Sequence, residues 1–123
     1  METRKLFVYG TLKKGFRLSS MLDSAKFIGV DTLKGFDIFS NGSFPRIVKG
    51  NDTVKWEVYE VPIHLFINLD FVESAYDRTT VETENGLIVD AYVYRYDTKD
   101  LIKLKGEFKR WKMTKWNTII KNM

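Results

Sequence analysis

Apolar and polar residues alternate along several short stretches of the chain, which is the pattern of strands that bury one face. Residues 5–9 form an apolar run that stops at Gly10, so they predict a short buried strand. The clearest strand is predicted at 54–61, where Val54, Trp56 and Val58 lie on one face and Tyr59 and Val61 lie on the other. Further strands are predicted at 26–35, at 78–83 and at 87–96, and residues 35–39 either continue the first of these or pair with it. Another strand is predicted to begin at 45–48 and to end at 50–52. Asn-Gly pairs predict turns at 41–42 and 85–86.

One stretch has the helical period instead. Pro62 ends the alternating strand at 54–61 and suits the first turn of a helix. The apolar stripe that follows, spaced at i, i+4, i+7 and i+11, consists of Leu65, Leu69, Val72 and Tyr76. Residues 17–24 predict a second, shorter helix. Strands dominate and helices interrupt the hairpins, so the fold class is α+β, either a curled sheet or a small mixed β-barrel with a few flanking helices.

The length and composition predict one globular domain over residues 1–123. A chain of 123 residues that is 44% apolar is large enough for a hydrophobic core and too apolar for a disordered segment. It contains no cysteine, which excludes disulfides, a thiolate nucleophile and cysteine-bound metals. No apolar run approaches the length of a membrane span or a signal peptide. We therefore expect a cytoplasmic protein with no membrane contact.

Positive charge is concentrated at the C-terminus. Residues 103–123 carry a net charge of +6, whereas residues 1–102 carry −2. Phe108, Trp111 and Trp116 lie among the lysines, and lysines with aromatic rings can bind nucleic acid. We favour the alternative that the aromatic side chains pack on the body of the domain while the lysines face water.

The first candidate for chemistry is the end of the first strand, Tyr9-Gly10-Thr11-Leu12. Backbone N–H groups in such a turn can converge on an anion or on a developing oxyanion. Taken alone, however, this is more simply a glycine that ends a strand. A phosphate-binding loop is excluded, because Phe16-Arg17 stands where the motif needs Lys-Ser/Thr.

The second candidate is the pair Asp70 and Glu73, three residues apart on one face of the predicted helix. A carboxylate that neighbouring apolar side chains partly shield from water could move protons near neutral pH. Taken alone, a solvated acidic face is the more frequent case. His64 is the only histidine and is predicted to lie on the surface at the helix start, and the carboxylates show no metal-ligand spacing.

Five motifs in order resemble the gamma-glutamylcyclotransferase-like (AIG2-like) family and together cover residues 5–96. Two of them are the most specific: the opening strand and loop, 6–15, and the Leu-Asp-x-x-Glu-x-x-Tyr-x-Arg pattern, 69–78. The others are Phe-Pro-Arg-Ile-Val at 44–48, Val-Tyr-Glu-Val at 58–61 and Asp-Ala-Tyr-Val-Tyr at 90–94.

The resemblance implies an enzyme that releases 5-oxoproline from a small gamma-glutamyl amine or peptide without a cofactor or metal. The substrate's own α-amine attacks its γ-carbonyl and expels the amine. Carried over by motif, Glu73 is the general acid/base and Tyr76 lines the pocket. Tyr9, Gly10, Thr11 and Leu12 hold the glutamyl group and face the oxyanion.

Two residues depart from the family pattern. Trp56 stands where the family has glycine, and Leu18 lies near a frequent asparagine. These differences bear on the substrate and leave an alternative function open, a non-catalytic module on the same fold that binds a small ligand or a partner.

Overall fold

Two long strands, joined as an antiparallel pair, form the largest part of the fold. The computed structural model describes residues 2–9, 24–40 and 45–104. In chain order the elements are β1 (Thr3–Val8), β2 (Lys26–Ser40), β3 (Pro45–Pro62), a 3-10 turn (Ile63–Leu65), α1 (Phe66–Val72), β4 (Tyr76–Glu82), β5 (Ile88–Tyr94) and β6 (Ile102–Leu104). The turn at 41–42, the helix at 17–24 and the basic segment beyond residue 104 lie outside the described residues.

All six strands belong to one mixed sheet in the order β4-β5-β1-β3-β2-β6. β1 is antiparallel to β3 and parallel to β5. The other end of β3 reaches back to β5, where Ile47 pairs with Val93. The sheet therefore curls into a half-barrel, which carries one short α-helix in the described part of the chain. The predicted α+β class is confirmed.

β3 runs without interruption through residues 50–52, so the strand end predicted there is wrong. The register with β2 shifts between Lys34 and Phe36, and Gly35 has a φ of +84°. Asp37 Oδ1 accepts hydrogen bonds from the backbone N–H groups of Asn51 and Asp52, both at 3.1 Å. The turn-forming residues are thus absorbed into a β-bulge, which bends the strand pair instead of ending it.

The core consists of two clusters on opposite faces of the sheet. The first contains Phe7, Leu33, Phe36, Ile38, Ile47, Val54, Trp56, Val58, Val89 and Ala91. The second lies beneath α1 and contains Leu6, Val8, Tyr59, Val61, Phe66, Leu69 and Tyr92. Alternate residues of β1 and β3 enter different clusters, because successive side chains of a strand point to opposite faces of the sheet.

The helix is shorter than its apolar stripe predicts. α1 ends at Val72, and Glu73 leaves the helical conformation with φ −95° and ψ 41°. Tyr76, the last residue of the stripe, opens β4 and pairs with Tyr94. The β-branched residues that follow Tyr76 favour an extended strand, and pairing with β5 supplies the backbone hydrogen bonds that a longer helix would have made.

The hairpin predicted at Asn85-Gly86 is confirmed. Gly86 has a φ of +83°, a conformation that glycine adopts without steric cost. The N–H of Thr83 donates to the carbonyl of Leu87 at 2.8 Å and closes the turn.

Candidate active site

Glu73 lies in the tight turn that joins α1 to β4. Its N–H donates to the carbonyl of Leu69 at 2.8 Å, and its own carbonyl accepts from the N–H of Tyr76 at 3.0 Å. These two bonds fix the backbone on both sides of the residue. The side chain is buried, with only 6% of the residue exposed. The sequence thus brings a carboxylate out of water at a position that its own backbone holds in place.

Tyr76 follows this turn and contacts one arginine and one tyrosine side chain. Its hydroxyl oxygen accepts a hydrogen bond from Arg46 Nε at 3.0 Å. Its ring meets the ring of Tyr94 edge-on, with centroids 5.4 Å apart. The guanidinium of Arg46 also lies over the Tyr94 ring, 4.9 Å from its centroid. Arg46 is brought here by the β3–β5 closure one residue away.

Tyr9 lies just after β1, at the end of the sheet where Tyr76 and Tyr94 also lie. β1 and β5 are parallel, with Phe7 opposite Ala91, so both strands end at this edge. Tyr94, at the end of β5, pairs with Tyr76. The topology therefore brings Tyr9, Tyr76 and the turn of Glu73 to one edge. The other predicted loop residues, Gly10, Thr11 and Leu12, lie outside the described residues.

Trp56 lies in the core beside Tyr9. Its indole is 7% exposed and stacks on Phe7, with centroids 5.6 Å apart and planes 18° apart. The ring of Tyr9 lies 6.1 Å away, tilted by 55°. The large indole of Trp56 is therefore packed into the first core cluster, where it lies against the first residue of the candidate loop.

Asp70, the second carboxylate of the predicted pair, has structural partners. Its Oδ1 accepts a hydrogen bond from the hydroxyl of Tyr92 at 2.7 Å, and Arg78 Nε lies 3.5 Å from the same oxygen. Burial, and then the hydrogen bond to Asp70, raise the pKa of Tyr92, so this tyrosine stays neutral and donates its proton. Asp70 thus joins α1 to the sheet.

A second charged network was not apparent from the sequence. Arg4 donates to both oxygens of Asp90, at 2.7 and 2.9 Å, and the hydroxyl of Thr80 donates to Oδ1 at 2.9 Å. Burial alone would raise the pKa of Asp90, but hydrogen bonds from Arg4 and Thr80 and the charges of Arg4 and Arg78 hold it below its usual value. Arg4 and Asp90 are 86 residues apart, and sequence spacing carries no signal for such a contact.

Metal ligands are not grouped in the part of the chain that the structure describes. Within residues 2–9, 24–40 and 45–104, no three His, Cys, Asp or Glu side chains are placed to share a metal ion. His64 is exposed in the 3-10 turn, as predicted. Among the same residues, no helix has the length and apolar character needed to cross a membrane.

The chemistry available at this edge follows from its residues. A buried carboxylate can accept and return a proton. Tyrosine rings offer flat apolar walls with a polar tip, and an arginine can hold a carboxylate with two parallel hydrogen bonds. Sequence reasoning missed Arg46 and Tyr94 as part of this group. Their proximity depends on the closure between β3 and β5, whereas Tyr76 was already marked by its motif.

Comparison with known proteins is consistent with this fold. The model of the family "Gamma-glutamyl cyclotransferase, AIG2-like" matches residues 6–117. The Escherichia coli K12 protein YtfP, named as a gamma-glutamylcyclotransferase family protein, is 30% identical over 95 residues, which are 75% of this chain and 81% of YtfP. An uncharacterized protein from Pyrococcus horikoshii has a crystal structure that superposes with a TM-score of 0.74 at 29% identity, over 91% of this chain and 95% of that one.

A mammalian structure is also similar. The crystal structure of a mouse AIG2-like protein superposes with a TM-score of 0.57 at 31% identity, over 80% of each chain. The family match begins within β1 and runs past β6, and thus includes the turn of Glu73, the Arg46–Tyr76 contact and the closure of the sheet. This chain belongs to the gamma-glutamyl cyclotransferase, AIG2-like family.

Proposed function

We propose that the protein is a cofactor-independent gamma-glutamylcyclotransferase that releases 5-oxoproline from a small gamma-glutamyl amine or peptide. The observation that carries this proposal is the buried carboxylate of Glu73, held by backbone hydrogen bonds on both sides at the edge where β1 and β5 end. Membership of the family supports the reaction class, and the Leu-Asp-x-x-Glu motif supports the choice of this glutamate.

The proposed reaction is an intramolecular aminolysis. The α-amine nitrogen of the substrate attacks its own γ-carbonyl carbon and forms the new C–N bond of a five-membered ring. Glu73 takes the proton that the attacking nitrogen loses. The bond from the γ-carbon to the leaving nitrogen then breaks, and Glu73 returns the proton to that nitrogen. One carboxylate thus serves as base and then as acid.

Besides this proton transfer, the reaction requires a folded substrate and stabilisation of the negative oxygen. A bound substrate that is folded with its amine against the γ-carbonyl has already lost the entropy that opposes ring closure. The oxygen that becomes negative needs a few fixed hydrogen-bond donors. We assign the loop from Tyr9 through Gly10 and Thr11 to Leu12 to this role and to holding the glutamyl half. Tyr76 lines the pocket next to Glu73.

The test is 5-oxoproline release, measured by mass spectrometry, from gamma-glutamyl amines, gamma-glutamyl dipeptides and glutathione. Release by the wild-type protein that is lost in Glu73→Gln supports the reaction and the role of Glu73. Glu82→Gln, at an exposed glutamate of β4, is the matched control and should keep the wild-type rate. If a folded wild-type protein releases nothing from any substrate, the proposal is wrong and a ligand-binding module on this fold is the better account.

A further inference from the structure

Two neighbouring strands of the sheet hold the side chain of Asp70. Arg78 on β4 and Tyr92 on β5 lie opposite each other in the antiparallel register. Tyr92 donates its hydroxyl proton to Asp70 Oδ1 at 2.7 Å, and Arg78 Nε lies 3.5 Å from the same oxygen. Tyr92 also belongs to the core cluster beneath α1. These three side chains form a clamp, the Asp70 clamp, which fastens the last turn of α1 to the sheet.

The Asp70 clamp closes the base of the turn that carries Glu73. Asp70 comes before Glu73 on α1, and Arg78 comes after it on β4. The contact between Asp70 and Arg78 therefore joins the two arms of the turn. Backbone hydrogen bonds from Glu73 to Leu69 and from Tyr76 to Glu73 fix the shape of the turn itself. The clamp fixes where the whole turn lies relative to β4 and β5.

Arg78 has further contacts that keep it in this position. Its guanidinium lies over the ring of Phe66, the first residue of α1, 4.5 Å from the centroid. Its Nη1 lies 3.9 Å from Asp90 Oδ2, and Arg4 binds the same oxygen at 2.7 Å. From one position on β4, Arg78 thus reaches both the first and the last turn of α1, which limits the movement of the helix over the sheet.

The clamp lies close enough to Glu73 for their charges to interact. Burial raises the pKa of Tyr92, the hydrogen bond to Asp70 raises it further, and the charge of Glu73 adds to the increase. The Tyr92 hydroxyl therefore stays protonated and remains a donor to Asp70. The positive charge of Arg78 offsets that of the Asp70 carboxylate. A network this close to Glu73 bears on the position of its carboxylate as well as on the stability of the fold.

We propose that Asp70 is a positioning residue, which through Tyr92 and Arg78 holds the Glu73 carboxylate within reach of the two substrate nitrogens. The inference rests on the proposed function and gives a role to two residues of the 69–78 motif that the proposed reaction does not use. A misplacement of about 1 Å in such a group can cost about 100-fold in rate. Weakening the clamp therefore lowers kcat, while KM changes little because the glutamyl half is assigned to the loop after β1.

Tyr92→Phe is the most conservative test, because it removes one hydroxyl oxygen and keeps the ring in the core. The substrate is the gamma-glutamyl compound of the panel that the wild-type protein turns over fastest. In Tyr92→Phe, kcat should fall by about 10- to 100-fold and KM should stay within about threefold. Arg78→Gln removes the other partner of Asp70 and should have the same effect.

Thr83→Val is the matched control for this loss of a hydroxyl group. It removes a buried hydroxyl that donates to a carboxylate, that of Asp31, at 2.6 Å. Thr83 follows the end of β4 that lies farthest from Glu73. Thr83→Val should therefore weaken the fold without lowering kcat.

A cycle with Glu73→Gln separates positioning from general damage. If the clamp acts through Glu73, Tyr92→Phe should slow the wild-type protein and leave the residual rate of Glu73→Gln unchanged. Equal slowing in both backgrounds would overturn the proposal, because the clamp would then act without Glu73. The proposal is also wrong if Tyr92→Phe keeps the wild-type kcat, or if Thr83→Val lowers kcat as much as Tyr92→Phe does.

Failure of the proposed function can be told apart from failure of this inference. If no substrate yields 5-oxoproline, the proposed reaction is wrong. Nuclear magnetic resonance of protein labelled with carbon-13 at the glutamate side-chain carboxyls then reports on Glu73 directly, and Glu73→Gln identifies its signal. That signal should shift in Tyr92→Phe and in Arg78→Gln and stay in place in Thr83→Val. A signal that does not move in Tyr92→Phe, or that moves as far in Thr83→Val, refutes the positioning role.

Discussion

Replacing the buried Asp31 tests how the β4–β5 hairpin is attached to β2. It lies on β2 and is 4% exposed. Its Oδ2 accepts from the Thr83 hydroxyl at 2.6 Å, and its Oδ1 accepts from the N–H of Thr32 at 2.8 Å and from Asn85 Nδ2 at 3.0 Å. One carboxylate therefore fastens the β4–β5 hairpin to β2, and we expect Asp31→Ala to loosen that attachment.

The size of the effect follows from which partners are buried. Asn85 is exposed, so water can replace its bond at little cost. Thr83 is 4% exposed, and its hydroxyl proton would lose its acceptor away from water. A lost hydrogen bond to a charged group and an orphaned buried donor together give a destabilisation of about 2–4 kcal/mol.

Urea unfolding, followed by circular dichroism, measures this change in the free energy of unfolding. In a double-mutant cycle with Thr83→Val, the two substitutions should be non-additive by about 1–2 kcal/mol, because each removes the same bond. Asp100→Ala, at an exposed aspartate, is the control and should change stability by less than about 0.5 kcal/mol. A cost of Asp31→Ala no larger than that of the control, or strict additivity in the cycle, would refute this reasoning.

Two further predictions concern acid stability and the core. The pKa of Asp90 is held below its unfolded value, so the pair with Arg4 stabilises the fold above about pH 4 and that contribution is lost as the pH falls further. Asp90→Asn should therefore lower the urea midpoint at pH 6 much more than at pH 3, and equal losses at both would contradict the assignment. Trp56→Ala should cost about 3–5 kcal/mol, because it empties a buried site stacked on Phe7. Trp56→Phe should cost clearly less, since it keeps a ring and removes a buried indole N–H that has no hydrogen-bond acceptor among the described residues. Equal losses in the two variants would contradict this prediction, because they would mean that the retained ring recovers none of the lost packing.

Local patterns were sufficient for much of the fold. Apolar runs, alternation and β-branched residues identified strands within β1 to β5, but they did not predict the short edge strand β6. Asn85-Gly86 identified the hairpin, because a positive φ is a property of the residue itself. The motif that carries Glu73 also came from the sequence. The burial of Glu73 at the end of α1 could not be predicted from the sequence, because the apolar stripe from Leu65 to Tyr76 suggested that the helix continues past this residue.

Long-range contacts could not be predicted in the same way. Arg4 meets Asp90 across 86 residues, and Thr83 meets Asp31 across 52. Both depend on which strands become neighbours, and so does the position of Arg46, which the pairing of Ile47 with Val93 brings to Tyr76 and Tyr94. The bulge at 50–52 could not be predicted for a related reason. Residues that would end a strand on their own can stay in the sheet when an aspartate on the partner strand accepts hydrogen bonds from their N–H groups.

The most direct test of the central claim is to measure binding and turnover together in Glu73→Gln. The glutamine has nearly the same shape as glutamate but cannot accept and return the proton. The account predicts that 5-oxoproline binds the variant with nearly the wild-type affinity while its release from a gamma-glutamyl substrate falls by about 10²- to 10⁴-fold. Turnover that stays within a few-fold of the wild-type rate, with binding unchanged, would contradict the claim that Glu73 moves the proton.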